Sequence, residues 1–122
     1  MSRGEKEVRH FLPLKAVPHM LLLLLEEQPT HGVDLLERLE HVSGGIVELN
    51  AGSLYRTIAK LLDQGLIEPS DTVGPEESFG VGAPRKTYYV TSLGRAVLRA
   101  ESLRQAKLLE LAGKLSLYRK RS

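Results

Sequence analysis

NAGSLYRTIAKLLDQGLIE, residues 50–68, predicts an amphipathic helix, a tight turn and a short strand. Asn50 is a preferred N-cap residue, and Gly65 accepts the left-handed conformation on which helices often end. Apolar side chains between them recur with helical spacing on one side: Leu54, Ile58, Leu61 and Leu62. The opposite side is polar and carries Ser53, Arg56 and Lys60. The helix therefore has one face for a core and one face that can donate hydrogen bonds.

Two helices are predicted before this segment. Pro18 suits a first helical turn, and the apolar run around it predicts a core helix over residues 17–27. Thr30 is a suitable N-cap for a second helix over residues 31–42. The glycines of Ser43-Gly44-Gly45 would end that helix, because glycine accepts the left-handed conformation.

A hairpin and a long helix are predicted after it. Residues 66–68 and 85–90 have strand propensity, and the glycine- and proline-rich stretch between them predicts a long loop. Thr91 or Ser92 caps a last helix that runs to about residue 118. With a rise of about 1.5 Å per residue, such a helix is longer than this small domain needs for its own core.

This order of elements predicts a mainly α fold with a two-stranded β wing, a winged helix-turn-helix followed by a long C-terminal dimerisation helix. The expected divisions are an N-terminal arm or short helix over residues 1–13, a winged-helix DNA-binding domain over 14–91 and the dimerisation helix over 92–122. In a winged helix, the helix before the hairpin enters the major groove and the hairpin touches the DNA backbone or the minor groove.

The composition bounds the function classes. Cysteine is absent, which excludes disulfides, thiolate metal sites and thiol nucleophiles. The four histidines lack ligand-like spacing, and no nucleotide-binding loop or nucleophile elbow is present, so we expect no metal, no cofactor and no catalytic site. Apolar runs are too short to span a bilayer, which suggests a cytoplasmic protein. Basic residues concentrate in 85–121 and acidic residues in 26–48, although the net charge is only +2. On charge alone, the basic region fits a polyanionic partner and a solvated basic helix surface equally well.

Four segments resemble the PadR family of transcriptional regulators. They are HGVDLL (residues 31–36), NAGSLYRTI (50–58), LLDQGLIE (61–68) and RKTYYVTSLG (85–94), within a similarity that covers residues 14–113. Two positions depart from the family pattern, since Val33 stands in place of tyrosine and Ala51 in place of proline. Neither change should alter the fold, because the capping residue and the apolar face remain.

The resemblance implies a homodimer that binds inverted-repeat double-stranded DNA, usually to repress transcription. Some members release DNA when an aromatic ligand binds at the dimer interface. Stacking of such a ligand between tryptophans is excluded here, because the chain has no tryptophan, two phenylalanines and four tyrosines. The sequence gives no support for a small-molecule effector.

Two sets of site residues follow. The expected DNA contacts are Ser53, Tyr55, Arg56, Thr57 and Lys60 on the third predicted helix, with Arg85 and Lys86 on the wing. Arginine can read a guanine edge with two hydrogen bonds, which makes Arg56 the best candidate for a base contact. The expected dimer contacts are Leu108, Leu111, Leu115 and Tyr118. The alternative function is a winged-helix module for protein–protein contact without specific DNA binding.

Overall fold

The protein, described in a computed structural model over residues 3–70 and 87–119, forms helices and short strands in these ranges. The helices are α1 (Arg3–His10), α2 (Ala16–Glu27), α3 (Gly32–Val42), α4 (Ala51–Asp63) and α5 (Ser92–Lys114). The strands are β1 (Thr30–His31), β2 (Ile67–Pro69) and β3 (Thr87–Val90). The predicted mainly α fold with an antiparallel β wing is confirmed. None of the helices in these ranges has the length and apolar character that a bilayer span requires.

The three strands form one small antiparallel sheet in the order β1-β3-β2. β2 and β3 are the predicted wing strands, and Glu68 pairs with Tyr89 between them. β1 pairs with the other edge of β3, where Thr30 lies opposite Tyr88. The sequence did not predict β1, which joins the wing to the start of α3.

The prediction that Thr30 caps the second helix is wrong. α3 begins at Gly32 with His31 at the N-cap position and no side-chain capping hydrogen bond. The Thr30 hydroxyl is engaged elsewhere, because it donates to the Gln28 carbonyl oxygen at 2.9 Å and accepts from Arg38 Nη1 at 2.5 Å. Thr30 thus belongs to β1, where it pairs with Tyr88 of β3, and its hydroxyl makes no hydrogen bond with the start of α3.

The core is a single cluster of side chains, nearly all branched aliphatic, from α2 to α5 and the sheet, with Tyr88 among them. α2 lies at its centre and contacts α3, α5 and β3. The apolar face predicted for α4 is buried in this cluster, with Leu54, Ile58 and Leu61 almost inaccessible to solvent. Full burial of such a side chain contributes about 1.5–3 kcal/mol, so the core fixes the rotation of α4 about its axis.

The turn after α4 packs tightly on the start of α5. Gly65 has a left-handed backbone (φ +74°), and the Thr91 hydroxyl donates to its carbonyl oxygen at 2.6 Å. Thr91 also caps α5 by accepting from Gly94 N at 3.0 Å. A Cβ at Gly94 would lie 2.1 Å from the Leu66 carbonyl oxygen, so only glycine fits there. These contacts couple the end of α4 to α5.

α5 ends at Lys114, before the predicted end near residue 118. Ser116 has a left-handed backbone (φ +60°) and donates its N–H to Gly113 O at 3.1 Å, while Leu117 N donates to Ala112 O at 2.9 Å. These two bonds form the reversal that commonly closes a helix, although glycine usually occupies the left-handed position. Serine there gave no signal in the sequence.

A buried carboxylate on α5 holds the chain that follows α1. Glu101 is fully buried, and its Oε1 accepts from Leu14 N at 2.9 Å. Its Oε2 accepts from Arg104 Nη2 at 2.5 Å and from Gln105 Nε2 at 2.8 Å. The hydrogen bond from Arg104 holds the pKa of Glu101 down, to about 2. Gln105 Nε2 also lies 3.2 Å from His19 Nδ1, and burial lowers the pKa of that imidazole.

Candidate nucleic-acid interface

The outer face of α4, defined by Ser53, Arg56 and Lys60, lies opposite the buried face of this helix. Arg56 and Lys60 are exposed, and Ser53 is half-buried. Asn50 caps the helix as predicted, because its side-chain oxygen accepts from Ser53 N at 2.8 Å. The cap satisfies one of the backbone N–H groups that a helix N-terminus otherwise leaves without a partner.

Ser53 organises its neighbours on this face. Arg56 Nη2 donates to Ser53 Oγ at 3.0 Å, which holds the guanidinium close to the first turn of α4. Thr57 is half-buried and donates its hydroxyl to the Ser53 carbonyl oxygen at 3.0 Å. Arg56 has five N–H donors, so most of them remain for a ligand, whereas Thr57 has used its only donor.

Tyr55 packs at the edge of the outer face and leaves 46% of its surface exposed. A Cβ at Gly32 would lie 2.8 Å from the Tyr55 hydroxyl oxygen and 2.9 Å from its Cε1. The tyrosine therefore lies directly on the first residue of α3. Burial raises the pKa of the Tyr88 hydroxyl, and Tyr55 nearby raises it further. The hydroxyl of Tyr55 thus faces the junction of α3 with the sheet, a contact that the sequence analysis missed.

The wing is described only at its base. Tyr89 Oη donates to Glu68 Oε2 at 2.5 Å across β2 and β3. Arg85 and Lys86, the predicted wing contacts, lie outside the described residues, as does the predicted loop from residue 71 onward. Gly32 was the position in the sequence that could have pointed to the Tyr55 contact. The sequence does not show which side chain packs on this glycine, and the folded chain does.

From residue 106 onward, nearly all side chains of α5 are exposed in the protomer. The predicted dimer residues are exposed leucines and a tyrosine on α5 and just after it: Leu108, Leu111, Leu115 and Tyr118. A groove of about 850 Å³ runs between α1 and α5, and its apolar lining includes Val8, Leu12, Leu93 and Leu103. On α5 and just after it, Leu93, Leu103 and the exposed leucines thus spread apolar surface over a wide arc.

Among the described residues, no three histidine, aspartate or glutamate side chains are close enough together to hold a metal ion. The described ranges therefore hold no cluster of metal-ligating side chains. The arrangement offers instead an amphipathic helix with a cationic outer face, beside a small wing.

Comparison with known proteins gives a family and a fold. The model of the transcriptional regulator PadR-like family matches residues 21–100. No curated protein matches the chain. Among solved structures, a PadR family transcriptional regulator from Eggerthella lenta is 24% identical, with a TM-score of 0.61, over 94% of this chain and 89% of that one. A PadR-like regulator from Bacillus cereus is 17% identical, with a TM-score of 0.67, over 93% of this chain and 99% of that one.

A third structure, Bacillus subtilis PadR in complex with operator DNA, is 22% identical, with a TM-score of 0.58. The match covers 70% of this chain and 46% of that one. At these identities the solved structures establish a shared fold, and the family model covers well over half of the sequence. The chain therefore belongs to the transcriptional regulator PadR-like family.

Proposed function

We propose that the protein is a homodimeric repressor that binds an inverted-repeat operator with α4 in the major groove. The observation that carries this proposal is the outer face of α4, where Arg56 and Lys60 are exposed on a helix whose inner face the core holds fixed. Bacillus subtilis PadR, which shares the fold, was solved in complex with operator DNA. We place the function in the cytoplasm and assign no catalytic activity.

In this proposal the outer face supplies the DNA contacts, and Tyr55 at its edge positions the helix. Arg56 reads a guanine edge, and the hydrogen bond from its Nη2 to Ser53 Oγ restricts the guanidinium before DNA binds. Lys60 contacts a phosphate as a point charge, which strengthens binding without selecting a sequence. Tyr55 positions α4 against Gly32.

The remaining predicted contacts are secondary. Thr57 contributes at most an acceptor, because its hydroxyl proton is used within the helix. Arg85 and Lys86 on the wing supply further phosphate contacts, an expectation that rests on the sequence.

Exposed apolar residues on α5 and just after it support the proposed dimer. Leu108, Leu111 and Leu115 leave more than half of their surfaces exposed in the protomer, and such a cluster generally marks an interaction surface. A two-fold dimer repeats each contact and presents two copies of α4. The half-sites of the operator would then be related by an inverted repeat, with centres about one or two helical turns apart.

The test is selection of bound fragments from genomic DNA, followed by titration of the selected duplex and a random duplex over a range of salt concentrations. We expect tight binding to the selected duplex, a steep salt dependence on both and a two-fold footprint. Equal and weak binding to both duplexes would contradict the proposal and favour a protein–protein module. A reporter that rises when the gene is deleted distinguishes repression from activation.

A further inference from the structure

A second basic surface lies beside the outer face of α4. A cleft of about 200 Å³ separates the C-terminal half of α4 from the N-terminal connector, residues 11–15, which joins α1 to α2. Lys60 lies on the α4 side of the cleft, and Lys15 and His10 lie on the other side. We refer to this cleft as the basic cleft.

The charges in the basic cleft have one sign. Lys15 and Lys60 are exposed, as is the imidazole of His10, and none of the described residues that line the cleft carries a carboxylate. The acid of α4 is Asp63, which is three residues beyond Lys60 and does not line the cleft. Two ammonium groups that face one opening repel each other, so an anion that enters between them is stabilised by both.

A hydrogen bond to a buried carboxylate fixes the backbone next to Lys15. The residue before it, Leu14, donates its backbone N–H to the buried Glu101 carboxylate at 2.9 Å, and Arg104 and Gln105 hold that carboxylate from α5. The backbone of the connector is thus fixed relative to α5, although the Lys15 side chain is in solvent. A cation on a fixed backbone loses less freedom on binding than one on a loose arm.

We propose that the basic cleft binds the phosphate backbone of double-stranded DNA, with Lys15 as a DNA contact that flanks α4. Lys60 belongs both to the outer face of α4 and to the cleft, so the two surfaces are continuous. The major groove is about 12 Å wide, and a helix within it has a phosphate backbone on each side. In this proposal the connector meets one of these two backbones through Lys15. This inference rests on the proposed function.

The first test is the salt dependence of DNA binding by single variants. Lys15→Ala should weaken binding to selected and random duplexes alike and reduce the slope of log K against log salt by about 0.9, as loss of one phosphate contact does. Lys60→Ala should give a similar reduction. Arg99→Ala is the matched control. Arg99 is exposed on α5, and its replacement removes one positive charge outside the cleft. Circular dichroism checks that each variant is folded.

The second test locates the contact without relying on charge. The chain has no cysteine, so Lys15→Cys and Arg99→Cys each accept one thiol-linked iron chelate that cleaves nearby DNA. Lys15→Cys should cleave the backbone at the edge of each half-site, and Arg99→Cys should give no localised cleavage.

The outcomes separate this inference from the proposed function. If the wild-type protein binds DNA but Lys15→Ala keeps the full salt slope and the Lys15→Cys chelate leaves the operator intact, the basic cleft is not a DNA contact. If the wild-type protein itself has no salt-dependent DNA binding, both the proposed function and this inference are wrong.

Discussion

The ring of Tyr55 lies on the backbone of Gly32, so close that a Cβ at Gly32 would stand 2.8 Å from the tyrosine hydroxyl oxygen. Gly32 is the first residue of α3, and Tyr55 is in the second turn of α4. The contact therefore links two helices of the winged fold at the edge of the proposed DNA-binding face. It also gives the glycine of the His31-Gly32 pair a physical reason, because any larger residue would displace the ring.

Gly32→Ala should consequently destabilise the protein through its effect on Tyr55. Overpacking in a rigid core costs about 1–3 kcal/mol, and the half-exposed Tyr55 ring can move aside, so we expect a cost of about 1 kcal/mol in the free energy of unfolding in urea. In a Tyr55→Ala background the same substitution should cost much less, since the ring that it meets is gone. Gly4→Ala is the control, because nothing lies within 4 Å of a Cβ at Gly4. An equal cost of Gly32→Ala in both backgrounds would rule out the contact as its cause.

The lowered pKa of Glu101 predicts that the folded protein loses stability in acid. Its pKa is about 2 in the folded protein against an ordinary value of 4.5, so the folded state favours the ionised form. The sign follows directly, because a lowered pKa stabilises the fold fully above pH 4.5 and this contribution is lost as the pH falls towards 2. The full contribution is on the order of 3 kcal/mol.

Unfolding in urea from pH 7 to pH 2 measures this effect. Glu101→Gln should be less stable than wild type at pH 7 and should have a shallower dependence of stability on pH below pH 4.5. Glu110→Gln is the matched control, because Glu110 is exposed and its Oε1 lies 3.8 Å from Lys114 Nζ. The assignment fails if the two variants have the same pH profile. Protein concentration is held constant, since dimerisation would shift apparent stability.

Local rules predicted much of this fold from the sequence. Helical spacing identified the buried face of α4, Asn50 caps α4 as expected, and Thr91, one of two expected candidates, caps α5. Capping and periodicity depend on residues within a few positions of one another, so both can be predicted from a sequence.

The errors and omissions involve partners that are distant in sequence. Thr30 was assigned as an N-cap because the sequence does not reveal its pairing with Tyr88. Glu101 resembles any polar residue on an amphipathic helix until Leu14, 87 positions away, donates to it. The outer face of α4 could be predicted from helical spacing. The basic cleft beside it could not, because it forms only when the connector folds next to Lys60.

Leu111→Glu tests the proposed dimer. Leu111 leaves 55% of its surface exposed in the protomer, so glutamate there can remain solvated in a folded monomer. In a dimer formed through α5 the same charge would be buried without a partner, at a cost large enough to separate the subunits. We expect wild type to sediment as a dimer at micromolar concentration and Leu111→Glu to sediment as a monomer with unchanged helicity.

Val33→Glu provides the comparison for this experiment. Val33 is a similarly exposed apolar residue on a different helix, α3, and its replacement should leave a dimer formed through α5 intact. A dimeric Leu111→Glu variant would mean that the subunits associate through a different surface. A monomeric wild-type protein would contradict the homodimer itself.

Arg56 and Lys60 separate sequence reading from general affinity. Arg56→Ala should cost about 1–3 kcal/mol on the selected operator and much less on random DNA, because it removes a base contact. Lys60→Ala should weaken binding to both duplexes about equally, because a phosphate is present in every sequence. Binding titrations at one salt concentration give the ratio of the two affinities for each variant.

Ser53→Ala tests how Arg56 is prepared for this role. Ser53 Oγ accepts from Arg56 Nη2 at 3.0 Å, so its removal leaves the guanidinium in place but free to rotate. We expect a smaller loss of discrimination than for Arg56→Ala, and no additional loss when both substitutions are combined, since the serine acts through the arginine. If Arg56→Ala discriminates operator from random DNA as well as wild type does, the bases are read by another surface. In that case the cationic face of α4 serves only to hold the backbone.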